Sequence, residues 1–303
     1  MPSAFVHYHG SGLYLSQIWT RPSVHNIPIL ELKVLVLLVA RVEVMRVNGK
    51  EIAPRVDLTG ADLRRTDLRG ADLSGAIMVR ITLAQANLRD VDLTGVQLAG
   101  ANLDRADLRG AQLSGANLDR ADLHKAIFVG ADLSAANLHM AEMNGADLSR
   151  ANLSGADLER AYLKAITVID ADLTDAVLSR AFLSGANLRG ANLTRANLAG
   201  TDLIGADLSG ANLTGADLDL ADLEGANLSG ADLDGADLGQ SNLTRAILRA
   251  ANLHKTNLHR ANLSGADLTG AQFHDTDFSE ASTDSATLWD ADFDPRVAGV
   301  ATP

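Results

Sequence analysis

A five-residue period runs through most of this chain and limits what it can fold into. Residues 56–295 divide into 48 pentapeptides in a single frame without an insertion. Leu stands at the centre of 40 of these repeats, and Ala stands two positions before the centre in 38. A period of five fits neither the helical period of about 3.6 nor the two-residue alternation of a long strand. The chain must therefore change direction once in every repeat.

The positions within a repeat predict one side of a coil. The Ala and the central residue lie two apart and point to the same side, whereas the Asp or Asn between them points to the other. We expect Ala and Leu inside and the polar residue outside. The last two residues turn the corner, and Gly holds the final position in 21 repeats, which suits the positive φ of a type II turn. Where Arg, Asp or Lys stands there, we expect another turn type.

The tandem pattern A(D/N)LxG resembles the pentapeptide repeat family, and the resemblance covers 240 of the 303 residues. It implies an all-β solenoid: a right-handed quadrilateral β-helix with four repeats per coil, hence about 12 coils. Neighbouring coils pair like strands, so no repeat folds alone. The composition agrees, because 47% of the residues are apolar but only 4% are aromatic.

The repeat frame divides the chain into three segments: an N-terminal arm and cap at 1–55, the β-helix at 56–295 and a C-terminal tail at 296–303. Before Asn48-Gly49 the sequence alternates as VEVMRV, which predicts a strand and a tight turn into the first coil. Residues 1–44 do not resemble the repeats. Two interpretations of these residues stay open. They are a non-native or disordered arm, or they are a genuine segment that caps the core or binds a partner.

The opposite end carries larger side chains at the centre of its repeats. Phe273, Phe278 and Phe293, with Trp289 nearby, are expected to close the core. The resemblance to gyrase-protecting members of the family implies dimerisation through a C-terminal element. Residues 296–303 match an added dimer helix poorly, so dimerisation stays open.

Several classes of chemistry are disfavoured by the sequence. The chain has no Cys, which excludes disulfides and thiolate sites. The apolar run at residues 34–40 is far shorter than the roughly 20 residues that span a bilayer, so we expect a soluble, cytoplasmic protein without membrane contact. A solenoid free of inserted loops offers no concave pocket, and we predict no enzyme activity, no catalytic residues and no cofactor. His254 and His274, one coil apart, are interpreted as a solvated ladder, so no metal site is predicted.

Charge is unevenly distributed along the chain. Residues 1–55 carry a net charge of +3, whereas residues 56–295 carry −16. Arg residues are frequent in the first third of the repeats, but residues 196–244 contain nine acids and no Lys or Arg. We call these nine residues the acidic band: Asp202, Asp207, Asp217, Asp219, Asp222, Glu224, Asp232, Asp234 and Asp237.

Two interpretations of the acidic band stay open. Asp and Asn could simply solvate the outer wall while bonding neighbouring backbone N–H groups. Alternatively, regularly spaced carboxylates occupy a basic groove built for phosphates, as a DNA mimic. In this respect the chain is similar to fluoroquinolone-resistance pentapeptide proteins, which bind DNA gyrase and topoisomerase IV, and most of all to their loop-free mycobacterial type. The resemblance implies a protein partner, gyrase or topoisomerase IV, and no direct nucleic-acid binding.

A second candidate surface is apolar. Tyr162 and Phe182 point outward one coil apart and are expected to stack on one side, where an exposed apolar cluster is typical of a contact surface. The competing interpretation is local repacking around the inward Ile166. We therefore predict a non-enzymatic binding scaffold, with gyrase inhibition by DNA mimicry as its specific mechanism. The alternative is a structural or protein–protein interaction solenoid without a role related to nucleic acid.

Overall fold

The structure is a computed structural model that describes residues 45–291, 293–295 and 300. The chain divides into two units, Met1–Val44 and Met45–Pro303, and every described residue belongs to the second. The interpretations of residues 1–44 and of most of the tail lie outside the described residues. Within the described part, no helix is both long and apolar enough to cross a membrane.

A hairpin precedes the repeats. Strand β1, Met45–Val47, pairs antiparallel with strand β2, Lys50–Ile52. Between them, Asn48 and Gly49 have φ values of 50° and 76°. Two consecutive positive φ values are what a two-residue type I′ turn requires. The strand and tight turn predicted before the first coil are thus confirmed as far as the described residues reach.

From Asp57 onward, each pentapeptide contributes one residue to parallel bridges with the neighbouring coils. Bridge partners are four pentapeptides apart, from Asp57 with Ile77 to Asn262 with Ser282. One coil therefore consists of four pentapeptides. The all-β repeat helix expected from the sequence is confirmed, while its right-handed winding and its count of about 12 coils stay predictions.

Four columns of bridged residues run along the stack, one on each side of the coil. We number the sides in chain order by their first bridged residue. Side 1 begins with Asp57, side 2 with Asp62, side 3 with Asp67 and side 4 with Asp72.

Each side buries its Ala and its Leu and exposes the residue between them. Ala206 and Leu208 are 1% and 0% exposed, and a Leu side chain gains roughly 1.5–3 kcal/mol from full burial. Hydrogen bonds to both neighbouring coils satisfy the backbone, since Asp207 N donates to Ala186 O at 2.9 Å and Leu208 N donates to Asn227 O at 2.7 Å. The core is aliphatic, as the composition predicts.

The expectation of different turn types at non-Gly corners is wrong. Every final repeat position from 60 to 280 has a positive φ, including Arg105 at 54° and Leu220 at 60°. The N–H of this residue donates to the next coil, for example from Arg105 to His124 O at 2.8 Å. This ladder holds the turn in one shape, although the left-handed conformation costs a non-Gly residue roughly 1–2 kcal/mol.

The repeat frame slips by one position near the C-terminal end. Asp267 bridges Leu288 where the regular spacing requires Thr287, and Leu288 is 50% exposed although its frame predicts an inward position. Thr287 Oγ1 donates to Leu263 O at 3.0 Å, so it fills the position that Ala holds elsewhere. Trp289 consequently takes the place of a central Leu, and the expectation of an uninterrupted frame fails here.

An aromatic cluster accompanies this slip. Phe273, Trp289 and Phe293 pack partly buried against the core, and Phe278 is only 2% exposed. Their ring centroids lie between 4.6 Å and 6.2 Å apart. The large side chains predicted to lie at this end do gather there, and accommodating Trp289 shifts the frame.

Candidate functional site

The acidic band surrounds the coil instead of collecting on one side. Side 1 and the corner after it carry Asp217, Asp219 and Asp237; side 2 and its corner carry Asp202, Asp222 and Glu224; side 3 carries Asp207; side 4 and its corner carry Asp232 and Asp234. Only two pairs of these acids are bridged to each other, Asp202 with Asp222 and Asp217 with Asp237. A partner that used the whole band would therefore have to enclose several sides.

Band carboxylates at the bridged position bond the backbone of their own corner. Asp217 Oδ1 accepts from Asp219 N at 3.0 Å, and Asp237 Oδ1 accepts from Gly239 N at 2.9 Å. Asn212 makes the same contact, because its Oδ1 accepts from Thr214 N at 3.0 Å. An amide oxygen thus makes this contact as well as a carboxylate does, so the contact does not need a negative charge.

Neutral amides and distant cations leave the charge of the band largely uncompensated. Asn252 Nδ2 donates to Asp232 Oδ1 at 2.8 Å, and Asn227, Asn242 and Asn257 make the equivalent bond to Asp207, Asp222 and Asp237. The ion pairs that reach the band, Arg189 with Asp207 and Arg245 with Glu224, are 4.0 Å long and exposed. Such pairs contribute little, so the region keeps a negative surface.

The aromatic pair lies on side 2, as expected. Tyr162 and Phe182 are 40% and 43% exposed, and their rings stack with centroids 5.1 Å apart and planes inclined by 13°. By contrast, Ile166 and Val168, which are close in sequence, are buried in the core at 2% and 3% exposure and do not extend this surface.

The structure brings the two candidate surfaces together. Consecutive bridges on side 2 join Glu142, Tyr162, Phe182, Asp202 and Asp222, which we call the mixed column. Neighbouring coils are about 4.8 Å apart, so acids flank the aromatic stack at both ends. The sequence contains the signal for this arrangement, since the five positions are spaced by four repeats each.

Two further exposed apolar residues were missed by the sequence analysis. Ile204 and Leu220 are 42% and 60% exposed, and they lie at the corners on either side of side 2, two positions after Asp202 and two before Asp222. Their sequence signal is a large aliphatic residue at a corner position, where most repeats have Gly, Ser, Thr or a charge. They broaden the apolar part of this side.

The predicted histidine ladder is also present. The rings of His254 and His274 are stacked with centroids 5.0 Å apart and an inclination of 2°. Asp275 adjoins them, with its Oδ2 3.5 Å from His274 Nε2.

Comparison with known proteins places the repeats in a family. The family model described as "Pentapeptide repeats" matches this chain in eight copies. The matches cover residues 55–90, 86–124, 126–164, 171–210, 206–245 and 246–282. No curated protein matches the chain.

Among solved structures, the chain is similar to HetL, a pentapeptide repeat protein involved in the regulation of heterocyst differentiation in the cyanobacterium Nostoc sp. strain PCC 7120. The two share 31% identity over 82% of this chain and 94% of HetL, with a TM-score of 0.28. A pentapeptide repeat protein of the Arabidopsis thaliana thylakoid lumen is 35% identical over 34% of this chain and 71% of its own, with a TM-score of 0.33.

QnrB1, a plasmid-mediated fluoroquinolone resistance protein, is 18% identical over 63% of this chain and 91% of its own, with a TM-score of 0.28. These TM-scores are too low to support an argument from superposition, so the assignment rests on the sequence matches. The family model covers most of the chain, and the chain therefore belongs to the pentapeptide repeat family.

Proposed function

We propose that this protein is a non-enzymatic binding scaffold whose acidic band acts as a DNA mimic and occupies a basic groove of a DNA-binding enzyme. The observation that carries the proposal is the charge of residues 196–244, with nine acids and no Lys or Arg on a regularly bridged backbone. At the bridged positions the contact to the backbone needs only an acceptor oxygen, which Asn supplies as well as Asp, so the charge is available for function.

The density of charge supports the comparison with DNA. Residues 196–244 make about 2.5 coils, which at about 4.8 Å per coil extend for about 12 Å. Nine acids over that length give one charge per about 1.3 Å, close to the one per about 1.7 Å of duplex DNA. The acids also surround the coil, as phosphates surround a duplex.

DNA gyrase and topoisomerase IV are the partners that the family resemblance suggests. We expect the protein to inhibit supercoiling by gyrase at low salt, and we expect inhibition to weaken as salt is added, because the screening length falls to about 8 Å at physiological ionic strength. A variant with all nine band acids changed to Asn or Gln should lose most of the inhibition.

The matched control neutralises the same number of acids elsewhere. Residues 62–122 also contain nine Asp, several of them paired with Arg, and their change to Asn should leave inhibition largely intact. Absence of inhibition by the unmodified protein for both enzymes at low salt would remove the gyrase-directed mimic. Equal inhibition by the band variant would move the contact surface away from the band.

The mixed column favours a second candidate function, a protein-interaction solenoid with no role related to nucleic acid. Exposed aromatic residues are enriched where proteins bind each other. Saturable binding of a protein from a lysate should be lost when Tyr162→Ala and Phe182→Ala are combined. Ile77→Ala with Ile247→Ala is the control, because these exposed residues lie on sides 1 and 3. Equal loss in both variants would argue against a specific surface.

A further inference from the structure

The two histidines beyond the acidic band are held in register by the backbone. His254 O accepts from Gly235 N and His274 O accepts from Lys255 N, each at 2.8 Å, so the two residues occupy the same corner position on successive coils after side 4. Their parallel rings lie 5.0 Å apart, and Asp275 follows directly. One potential ligand atom from each of His254, His274 and Asp275 lies within 4.8 Å of the other two.

We propose that His254, His274 and Asp275 form a binding site for a divalent transition-metal ion, with Zn²⁺ as the best-matched ion. Imidazole nitrogen and carboxylate oxygen are its usual ligands, at about 2.0–2.2 Å from the metal. Two such ligands in a tetrahedron lie about 3.3 Å apart. The 3.5 Å between His274 Nε2 and Asp275 Oδ2 fits this spacing without rearrangement.

The other distances between the three ligand atoms, all within 4.8 Å, would have to shorten by rotation of the side chains. The side chains of His274 and Asp275 are 77% and 63% exposed and can turn toward the ion. His254 is half-buried and therefore less exposed than these two residues. In the metal-bound form the two rings leave their parallel stack and converge. Three protein ligands leave the fourth position to water, as in open zinc sites.

Asp234 supplies an independent observation. It occupies the same corner position one coil before His254, and its Oδ1 is buried without a hydrogen-bond partner among the described residues. A histidine that binds a metal usually donates its other ring N–H to a carboxylate, which fixes the tautomer. Asp234 is therefore the positioning residue expected behind His254.

Other histidines of the described repeats show what an ordinary environment looks like. His124 Nδ1 lies 2.8 Å from Asp122 Oδ1, and His139 Nδ1 lies 3.0 Å from Asp119 Oδ1. At the same position one coil away they have Asp104, Asn144, Asp119 or Glu159, and thus no second imidazole. The pair at 254 and 274 is distinguished by two imidazoles from successive coils.

The bound ion would join the coil of His254 to the coil of His274, immediately before the frame slip. Because an ion that binds only the folded state stabilises it, Zn²⁺ should protect this end of the stack from local unfolding. This inference does not depend on the function proposed for the acidic band.

The test is titration of the untagged full chain with Zn²⁺ by calorimetry, with thermal unfolding as the second readout. We expect one Zn²⁺ per chain, a raised unfolding temperature and no comparable effect of Mg²⁺, which prefers an all-oxygen site. The double variant His254→Gln, His274→Gln should abolish the one-to-one binding. Asp234→Asn should lower the affinity by roughly 10- to 100-fold, as expected for the partner of a ligating histidine.

The control is His124→Gln with His139→Gln, which should bind Zn²⁺ like the unmodified chain. Each double variant is compared with itself without metal, and Zn²⁺ should raise the unfolding temperature of the His124→Gln, His139→Gln variant but not that of the His254→Gln, His274→Gln variant. Zn²⁺ binding that is unaffected by the 254 and 274 substitutions, or that involves several weak ions per chain, would show adventitious binding to the acidic surface and overturn the proposal. Absence of binding would overturn it as well.

Discussion

The first coils and the acidic band share one backbone but differ in how they treat charge. Asp62 bridges Thr82 in the first coils just as Asp202 bridges Asp222 in the band. In the first coils Arg64 lies 2.6 Å from Asp62, and Arg69 lies 2.7 Å from Asp67. The band has no Lys or Arg, and its carboxylates bond backbone N–H groups and Asn amides.

In the first coils this pairing also affects the titration of the acids. Hydrogen bonds from Arg64 and Arg69 lower the pKa of Asp62 and Asp67 below the usual value of an aspartate. Inward residues and corners therefore specify the coil, while the outer positions are free to carry either balanced or unbalanced charge. The two regions thus share their inward residues and differ in the charge of their outer positions.

The largest expected effect tests whether the two regions share the same core. Leu88→Asp in the first region and Leu208→Asp in the band should each lower the free energy of unfolding by on the order of 4 kcal/mol, since both leucines are fully buried and the new carboxyl would have no partner. Urea unfolding measures this. Asn87→Asp and Asp207→Asn, at the outward position just before each of these leucines, should change the free energy of unfolding by less than about 0.5 kcal/mol. Strong damage in only one region would contradict a common core.

The second prediction concerns the corners, which are the same in both regions. Arg105→Gly and Leu220→Gly should each stabilise the protein by about 0.5–1 kcal/mol, because relief of the left-handed conformation exceeds the added freedom of the unfolded chain. Ala221→Gly, the buried neighbour of Leu220 without a positive φ, should instead destabilise by about 1 kcal/mol. Thermal unfolding shows whether each variant is more or less stable than the unmodified chain. Destabilisation by Leu220→Gly would show that the backbone at this corner is not strained.

The third prediction separates the regions by charge. Neutralising the band should raise stability at low salt by less than about 1 kcal/mol, because like charges are removed. Changing Asp62, Asp67 and Asp107 to Asn should lower the stability at low salt. Each of these changes removes the ion-pair partner of an arginine, Arg64, Arg69 and Arg109 respectively. Both effects should fade in 1 M salt, where the screening length is about 3 Å. Effects of the same sign in both regions would remove the contrast.

The smallest expected effect is a local response to acid. A carboxyl whose folded pKa is lowered contributes stability above its unfolded pKa, about 3.9 for Asp, and loses it as the pH falls toward the folded value. Amides of residues 61–70 should therefore exchange faster below about pH 4 than near pH 7, after correction for intrinsic rates. Arg64→Gln with Arg69→Gln should abolish the difference. An acid response that persists in this variant would contradict the assignment of paired charge to the first coils.

Much of the fold could be predicted from the sequence, because the repeat is local. The spacing of Ala and Leu determines which residues face inward, and Ala206 and Leu208 are buried as the pattern requires. The hairpin at Asn48-Gly49 follows from turn chemistry that involves only adjacent residues. The stacking of Tyr162 on Phe182 follows once a coil is known to consist of four repeats. The acidic band is likewise visible as a run of charge.

The tertiary structure alone decided what depends on contacts between coils. Hydrogen bonds from coil to coil impose a positive φ on Arg105 and Leu220, against their local preference. Packing of Trp289 among three Phe rings shifts the frame at Leu288, which the five-residue count does not reveal. The repeat specifies each side of the coil by short-range chemistry, but the frame slip arises where side chains from successive coils meet.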